Sequence, residues 1–247
     1  VQFPLGIFAI SAVTLMMPDL SRKAAAQDLE AMKQILRQSL MLVGFIIVPA
    51  MAGLMVLREP IVAILFERGA FDSNSTRLTA DALLWYSTGL WAYAALRILL
   101  AMFYALQDAY RPLKAAVLSV GTNLAGGLLL MQIMGHAGIA LAAALAAAVN
   151  VALLVVMLRR QIGPLGGRKM LPAAGRILGC TLLMGAGVHW LDTWLQTMTT
   201  PSVIIQIVRL GCGITFGVGI YVAAAFSCRS PELHTFSQMV WRRNKAP

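Results

Sequence analysis

The chain has 247 residues, 59% of them hydrophobic and only 12% charged, with 20 Lys/Arg against 10 Asp/Glu. A charged share about half the ~25% of soluble domains excludes an ordinary globular enzyme and indicates a polytopic membrane protein. The net charge of +10 does not indicate a nucleic-acid partner, because the basic residues gather in the gaps between apolar runs, where membrane proteins keep topogenic charge.

In chain order, the first apolar run covers 1–17. It opens VQFPLGIFAISAVTLMMPDL with no starting Met, no basic n-region and no small-residue cleavage site, so it is not a signal peptide. It is expected to be cut from a longer protein. The 19–39 stretch, DLSRKAAAQDLEAMKQILRQS, predicts a helix on the membrane surface with a solvated Ser/Arg/Lys/Glu face. A second apolar run follows at 40–57. Within 58–79, Ile61, Ile64, Leu65 and Phe71 recur at roughly helical spacing beside Glu67 and Arg68. This predicts a short amphipathic helix at the interface, with a re-entrant or buried segment as the alternative.

Five more apolar runs lie at 82–106, 115–134, 138–158, 173–191 and 203–226. All but the first of the seven can cross ~30 Å of hydrocarbon at ~1.5 Å per residue. They show no period-2 alternation, so the expected class is all-α: a transmembrane bundle of about seven spanning helices. Alternate gaps carry most of the charge. The gaps at 18–39, 107–114 and 159–176 and the C-terminal tail hold fifteen of the 20 Lys/Arg. Their intervening counterparts hold only Arg58, Arg68 and Arg77. This asymmetry predicts a cytoplasmic C-terminus.

Arg97 is the one charge between Ala82 and Leu106. Tyr86, Tyr93, Arg97, Tyr104 and Asp108 step by 7, 4, 7 and 4 residues and so share one helix face. Arg97 stands about 14 Å from the inner end of its run, further than its side chain can snorkel. Facing lipid would cost at least ~2.5–3.5 kcal/mol. The stripe therefore faces protein or a wet cavity, and a buried Arg paired with a carbonyl or carboxylate is the alternative.

The fourth run has a face of Ser119, Thr122, Asn123, Gly126 and Gly127, suited to close packing or to cavity lining. Asn150 reads as an interhelical hydrogen-bonding group. The last run aligns Gln206, Arg209, Gly213, Gly217 and Tyr221, with Arg209 near the outer end, placed to snorkel or to meet a lipid headgroup. His189, Trp190, Asp192 and Trp194 read as an interface belt. Cys180, Cys212 and Cys228 form no close pair, and His136, His189 and His234 are far apart, so neither a disulfide framework nor a metal site is indicated. HExxH, GxSxG and P-loop patterns are absent, and no cofactor is expected. Cations without acids or metal ligands suit binding and moving an anion better than cleaving one.

Four stretches, FPLGIFAISAVTLMMPDLSR, PIVAILFERGAF, AMFYALQDAYRPLKAA and GHAGIALAAALAAAVNVALLVVMLRRQIG, resemble the MurJ/MviN family of lipid II flippases, within the multidrug/oligosaccharidyl-lipid/polysaccharide exporter superfamily. The resemblance covers about residues 1–161, and the last two runs match in hydropathy and position. It implies a protein twice this length with fourteen helices, twelve of them in two lobes around a cationic cavity. This chain would begin within the eighth helix, lacking the first lobe. The expected organisation is an incomplete second lobe at 1–161, two additional helices at 162–229 and a cytoplasmic basic tail at 230–247. Arg97 matches a cavity-facing basic position usually held by Lys. Lipid II, membrane lipids and the other lobe are the implied partners, in the bacterial inner membrane. The substrate-facing residues implied or read are Arg97, Tyr93, Tyr104, Asn123 and Arg209. A sodium site known in some members would fall on Asn123, Gly127 and Ala143, where two of the three ligand types are lost. Arg209 and the Gly213/Gly217 face would border a groove for the polyprenyl tail.

Overall fold

The computed structural model describes residues 6, 9–69, 71–198 and 203–228. They form α1 (Ile10–Ala25), α2 (Leu29–Val56), α3 (Arg58–Phe66), α4 (Ser73–Thr88), α5 (Leu90–Ala105), α6 (Tyr110–Met134), α7 (His136–Ile162), a 3-10 turn (Gly167–Lys169), α8 (Leu171–Met198) and α9 (Val203–Ser227). Six spans among the described residues are long and apolar enough to cross a membrane, with α4 and α5 together making one. Much of the first expected run lies outside the described residues, as does the 230–247 tail.

The surface helix expected over 19–39 does not exist as a separate element. Its first half continues α1, and its second half is the start of α2, a 28-residue helix. The chain reverses between them in a helix C-cap. The Gln27 N–H donates to the Ala24 carbonyl and the Asp28 N–H to the Lys23 carbonyl, with Gln27 left-handed at φ 55°. This is the Schellman arrangement, with Gln where Gly is usual. Asp28 then turns its carboxylate onto the Ala31 N–H (3.1 Å) and starts α2.

The same device recurs between α5 and α6. Gln107 has φ 57°, its N–H donates to Tyr104, and the Asp108 N–H donates to Phe103. Asp108 accepts from the Arg111 N–H (3.1 Å) and pairs with the Arg111 guanidinium (2.7 Å). Asp108 thus ends the tyrosine stripe as a helix cap.

The expected short helix after α2 is present as α3. Val62 is buried, while Leu65 and Phe66 are exposed, as an interfacial helix requires. The third span starts earlier than its apolar run, at Ser73, because Asp72 caps α4 by accepting from the Ser75 N–H (2.8 Å). It breaks at Gly89, where α7 comes close: a Cβ on Gly89 would lie 3.0 Å from the Ala144 Cα. Small residues let helices approach where lipid offers no hydrophobic drive. Accordingly Ala140, Ala142, Ala144, Ala146 and Ala147 of α7 are all buried.

Two cores share α2. Met32, Leu36, Val43 and Ile47 join Leu90, Ile98, Met102, Phe103, Leu154 and Leu158 in the first. Phe45, Val48 and Leu57 join Ile177, Met184, Val188 and Tyr221 in the second. Pro49 inside α2 has no N–H to offer the carbonyl of Phe45, four residues back. The Tyr221 hydroxyl of α9 donates to that carbonyl at 2.8 Å, and the two rings stack obliquely at 5.1 Å. The last helix is therefore docked on a backbone acceptor that a proline sets free.

On the face that carries the basic loops, α2 also holds the chain leading into α8. Lys33 is buried and pairs with Glu30 at 2.7 Å, and Arg37 donates to the Leu165 carbonyl at 3.2 Å. The expectation of a solvated polar face holds for Ser21, Arg22, Lys23 and Glu30, which are exposed, but not for Lys33, which is buried, or for Arg37, which bonds a loop 128 residues away.

Candidate functional site

α5 is buried along one side by Ala94, Ala95, Ile98, Leu99 and Met102. The helical period then turns its other side outward, and that side carries the polar stripe. Tyr86 and Tyr104 are exposed (38% and 54%), Tyr93 is half-buried and Arg97 is exposed. Arg97 makes no hydrogen bond or ion pair among the described residues. No carbonyl or carboxylate among the described residues pairs with Arg97. The result is a guanidinium near the middle of α5, uncommitted among the described residues, with a tyrosine one turn before it and another two turns after it.

The polar face of α6 divides. Ser119 donates across to the Ala146 carbonyl of α7 at 2.8 Å, which is a packing role. Thr122 bonds back to Leu118 within its own helix (3.0 Å). Asn123 is exposed and has no hydrogen bond among the described residues, so α6 presents it outward. Asn150 is buried as expected, but its Oδ1 has no hydrogen-bond partner among the described residues, so the interhelical bond expected of it is not seen there.

Gln206, Arg209, Gly213, Gly217 and Tyr221 do share one face of α9, but protein covers it. A Cβ on Gly217 would lie 2.8 Å from the Val188 side chain, and one on Gly213 would lie 3.5 Å from Leu57. This face is a helix-packing seam, and the outward side of α9 carries Ile207, Val208, Ile214 and Val218 instead. Arg209 neither snorkels nor stands free. Its Nε lies 2.7 Å from Asp192 Oδ1, with the two side chains 15% and 11% exposed. Gln196 donates to the other Asp192 oxygen at 3.2 Å. Asp192 thus acts as the anchor of α9 rather than as a belt residue. Its partner was hidden because the two residues lie 17 positions apart on different helices.

The comparisons with known proteins bear on this arrangement. The family model described as lipid II flippase MurJ matches residues 1–209. A "Probable lipid II flippase MurJ" from Rickettsia prowazekii is 31% identical over 228 residues, covering 91% of this chain and 45% of the relative. One from Rhizobium meliloti is 30% identical over 244 residues, covering 98% and 45%. A "Lipid II flippase MurJ" from Burkholderia cenocepacia is 26% identical over 189 residues, covering 76% and 37%. Among solved structures, "Lipid II flippase MurJ, inward closed conformation" superposes with a TM-score of 0.72 at 23% identity, over 92% of this chain and 44% of that one. The chain spans about half the length of the curated relatives it matches. With the family model covering most of its residues and helices arranged as in the solved fold, this chain belongs to the lipid II flippase MurJ family.

Proposed function

We propose that this chain is the second-lobe half of a flippase that moves the undecaprenyl-pyrophosphate-linked peptidoglycan precursor across the bacterial inner membrane by alternating access. Residues 1–161 serve as the lobe and 162–229 as an added helix pair. One observation carries the reading: the open, unpaired guanidinium of Arg97 on the tyrosine-flanked face of α5. A diphosphate is bound well by a planar guanidinium in a low-dielectric setting. Tyr93 and Tyr104 supply flat apolar faces with hydroxyls, suited to sugars, and Asn123 supplies a further outward amide. Arg209, held by Asp192, positions α9 in this reading. The face with the basic loops is cytoplasmic, as the Lys/Arg asymmetry favours.

The relatives' names support lipid II as the substrate. The test is complementation in flippase-depleted cells with the full-length protein. Arg97→Ala is expected to abolish growth while membrane levels stay normal, and wild-type growth of that variant would overturn the cavity role. Residues 1–247 reconstituted alone are expected to flip no lipid II, since the opposing lobe is needed to close the cavity. An exporter of another polyprenyl-linked glycan is the second reading, and competition by other undecaprenyl lipids at equal affinity would favour it.

A further inference from the structure

Opposite the basic-loop face, the ends of α2, α3, α4, α8 and α9 enclose a half-open cavity of about 670 Å³. That is the size range of small-molecule sites. Its residues come from five elements between Met55 and Arg209, so no local sequence pattern marks it. The charges around it are unequally committed. Asp192 is engaged by Arg209 and Gln196, and Glu67 accepts from the Thr76 hydroxyl at 3.0 Å. Arg58 gives Nη1 to the Met55 carbonyl (3.0 Å) and lies 3.8 Å from Glu59, while its Nε is buried with no hydrogen-bond partner among the described residues. Arg77 lines the cavity and makes no hydrogen bond or ion pair among the described residues.

A buried N–H without an acceptor is costly, and a guanidinium left unpaired in the same cavity wall prefers an anion. The rest of the wall includes Met55, Val56, Ala63 and Leu84. Trp190 and Trp194 are exposed on the same end of α8, where a membrane interface places tryptophan. Cationic donors beside apolar wall at interface depth match the junction between a lipid's phosphate and its glycerol.

We propose that this cavity is a second lipid site, separate from the Arg97 stripe, in which Arg58 and Arg77 bind the phosphate of a membrane phospholipid headgroup. The site belongs to the lateral surface formed with the C-terminal helix pair, and it does not depend on the transported substrate.

The experiment is native mass spectrometry of the full-length protein in detergent, titrated with phosphatidylglycerol, with phosphatidylethanolamine, with diacylglycerol and with inorganic phosphate. The wild type is expected to bind both phospholipids at one saturable site and to ignore diacylglycerol. Arg58→Gln/Arg77→Gln is expected to weaken that site at least about tenfold. The Lys/Lys variant at the same positions should retain part of the binding, which separates lost charge from a damaged fold. Displacement of the lipid by millimolar inorganic phosphate would identify phosphate itself as the recognised group, and failure to displace it would assign recognition to the whole lipid. Equal binding by the wild type and the Gln/Gln variant, or diacylglycerol binding as tightly as phospholipid, would overturn the proposal. Because the readout is lipid retention, its failure leaves the flipping experiment on Arg97 untouched.

Discussion

At the scale of single residues, polar groups in a membrane bundle either find partners or remain available for function. Phe45 has its carbonyl freed by Pro49 and then claimed by Tyr221. Tyr221→Phe keeps the ring contact and removes only the donor. It is expected to cost about 0.6–1.7 kcal/mol, the range for hydrogen bonds inside bilayers. Thermal unfolding in detergent would show a lowered midpoint, and no change would mean that another group satisfies the carbonyl. Asp192 and Arg209 form a pair shielded on both sides. Asp192→Ala leaves a cation uncompensated and is expected to destabilise more than Asp192→Ala/Arg209→Met, in which both charges are gone. A double-mutant cycle measures this, and simple additivity would contradict it. Arg97 behaves in the opposite way: like Asn123, it is exposed and makes no hydrogen bond or ion pair among the described residues.

At the scale of elements, two helix reversals use one design: a left-handed Gln followed by a capping Asp. The left-handed conformation costs a non-glycine residue roughly 1–2 kcal/mol. Gln107→Gly is therefore expected to stabilise the α5–α6 turn, raising the thermal unfolding midpoint in detergent. The caps also set a pH dependence. The Asp28 carboxyl is held below the ordinary carboxylate range chiefly by the Ala31 N–H, and the Asp72 carboxyl chiefly by the Ser75 N–H. A lowered folded-state pKa means that cap stabilisation is complete above the ordinary aspartate value of ~3.9 and is lost as pH falls through the lowered one. Acidification into that range is expected to fray the first turns of α2 and α4 before the rest of either helix. Hydrogen exchange resolved to Ala31 and Ser75 would detect this, and uniform exchange along both helices would argue against it.

At the scale of the whole molecule, α2 is the shared wall. It joins the first core through Met32, Leu36 and Ile47 and the second through Phe45, Val48 and Leu57. Motion of the added helix pair against the lobe would have to break both the Tyr221 hydrogen bond to Phe45 and the Arg37 hydrogen bond to Leu165, two attachments about 12 Å apart along α2. On the proposed function, cysteines introduced at Arg37 and Leu165 of the full-length protein and joined by a bifunctional thiol reagent are expected to leave flipping intact if the pair moves with α2. Loss of activity on cross-linking would show that the junction has to open.

The sequence by itself determined the membrane class, six of the seven expected spans, the polar stripe and the family, because hydropathy, helical period and loop charge are local properties read along one dimension. The Arg97 face was legible for the same reason: a period of 3.6 residues places Tyr93, Arg97 and Tyr104 together whatever surrounds them. Tertiary structure decided which polar residues are committed. It paired Arg209 with Asp192, turned the Gly213/Gly217 face into a packing seam, buried Lys33, left the Asn150 Oδ1 without a hydrogen-bond partner among the described residues and collected Arg58 and Arg77 around one cavity. Each of these outcomes depends on which neighbour arrives across an interface, often more than a hundred residues away, and no periodicity within a single helix encodes that.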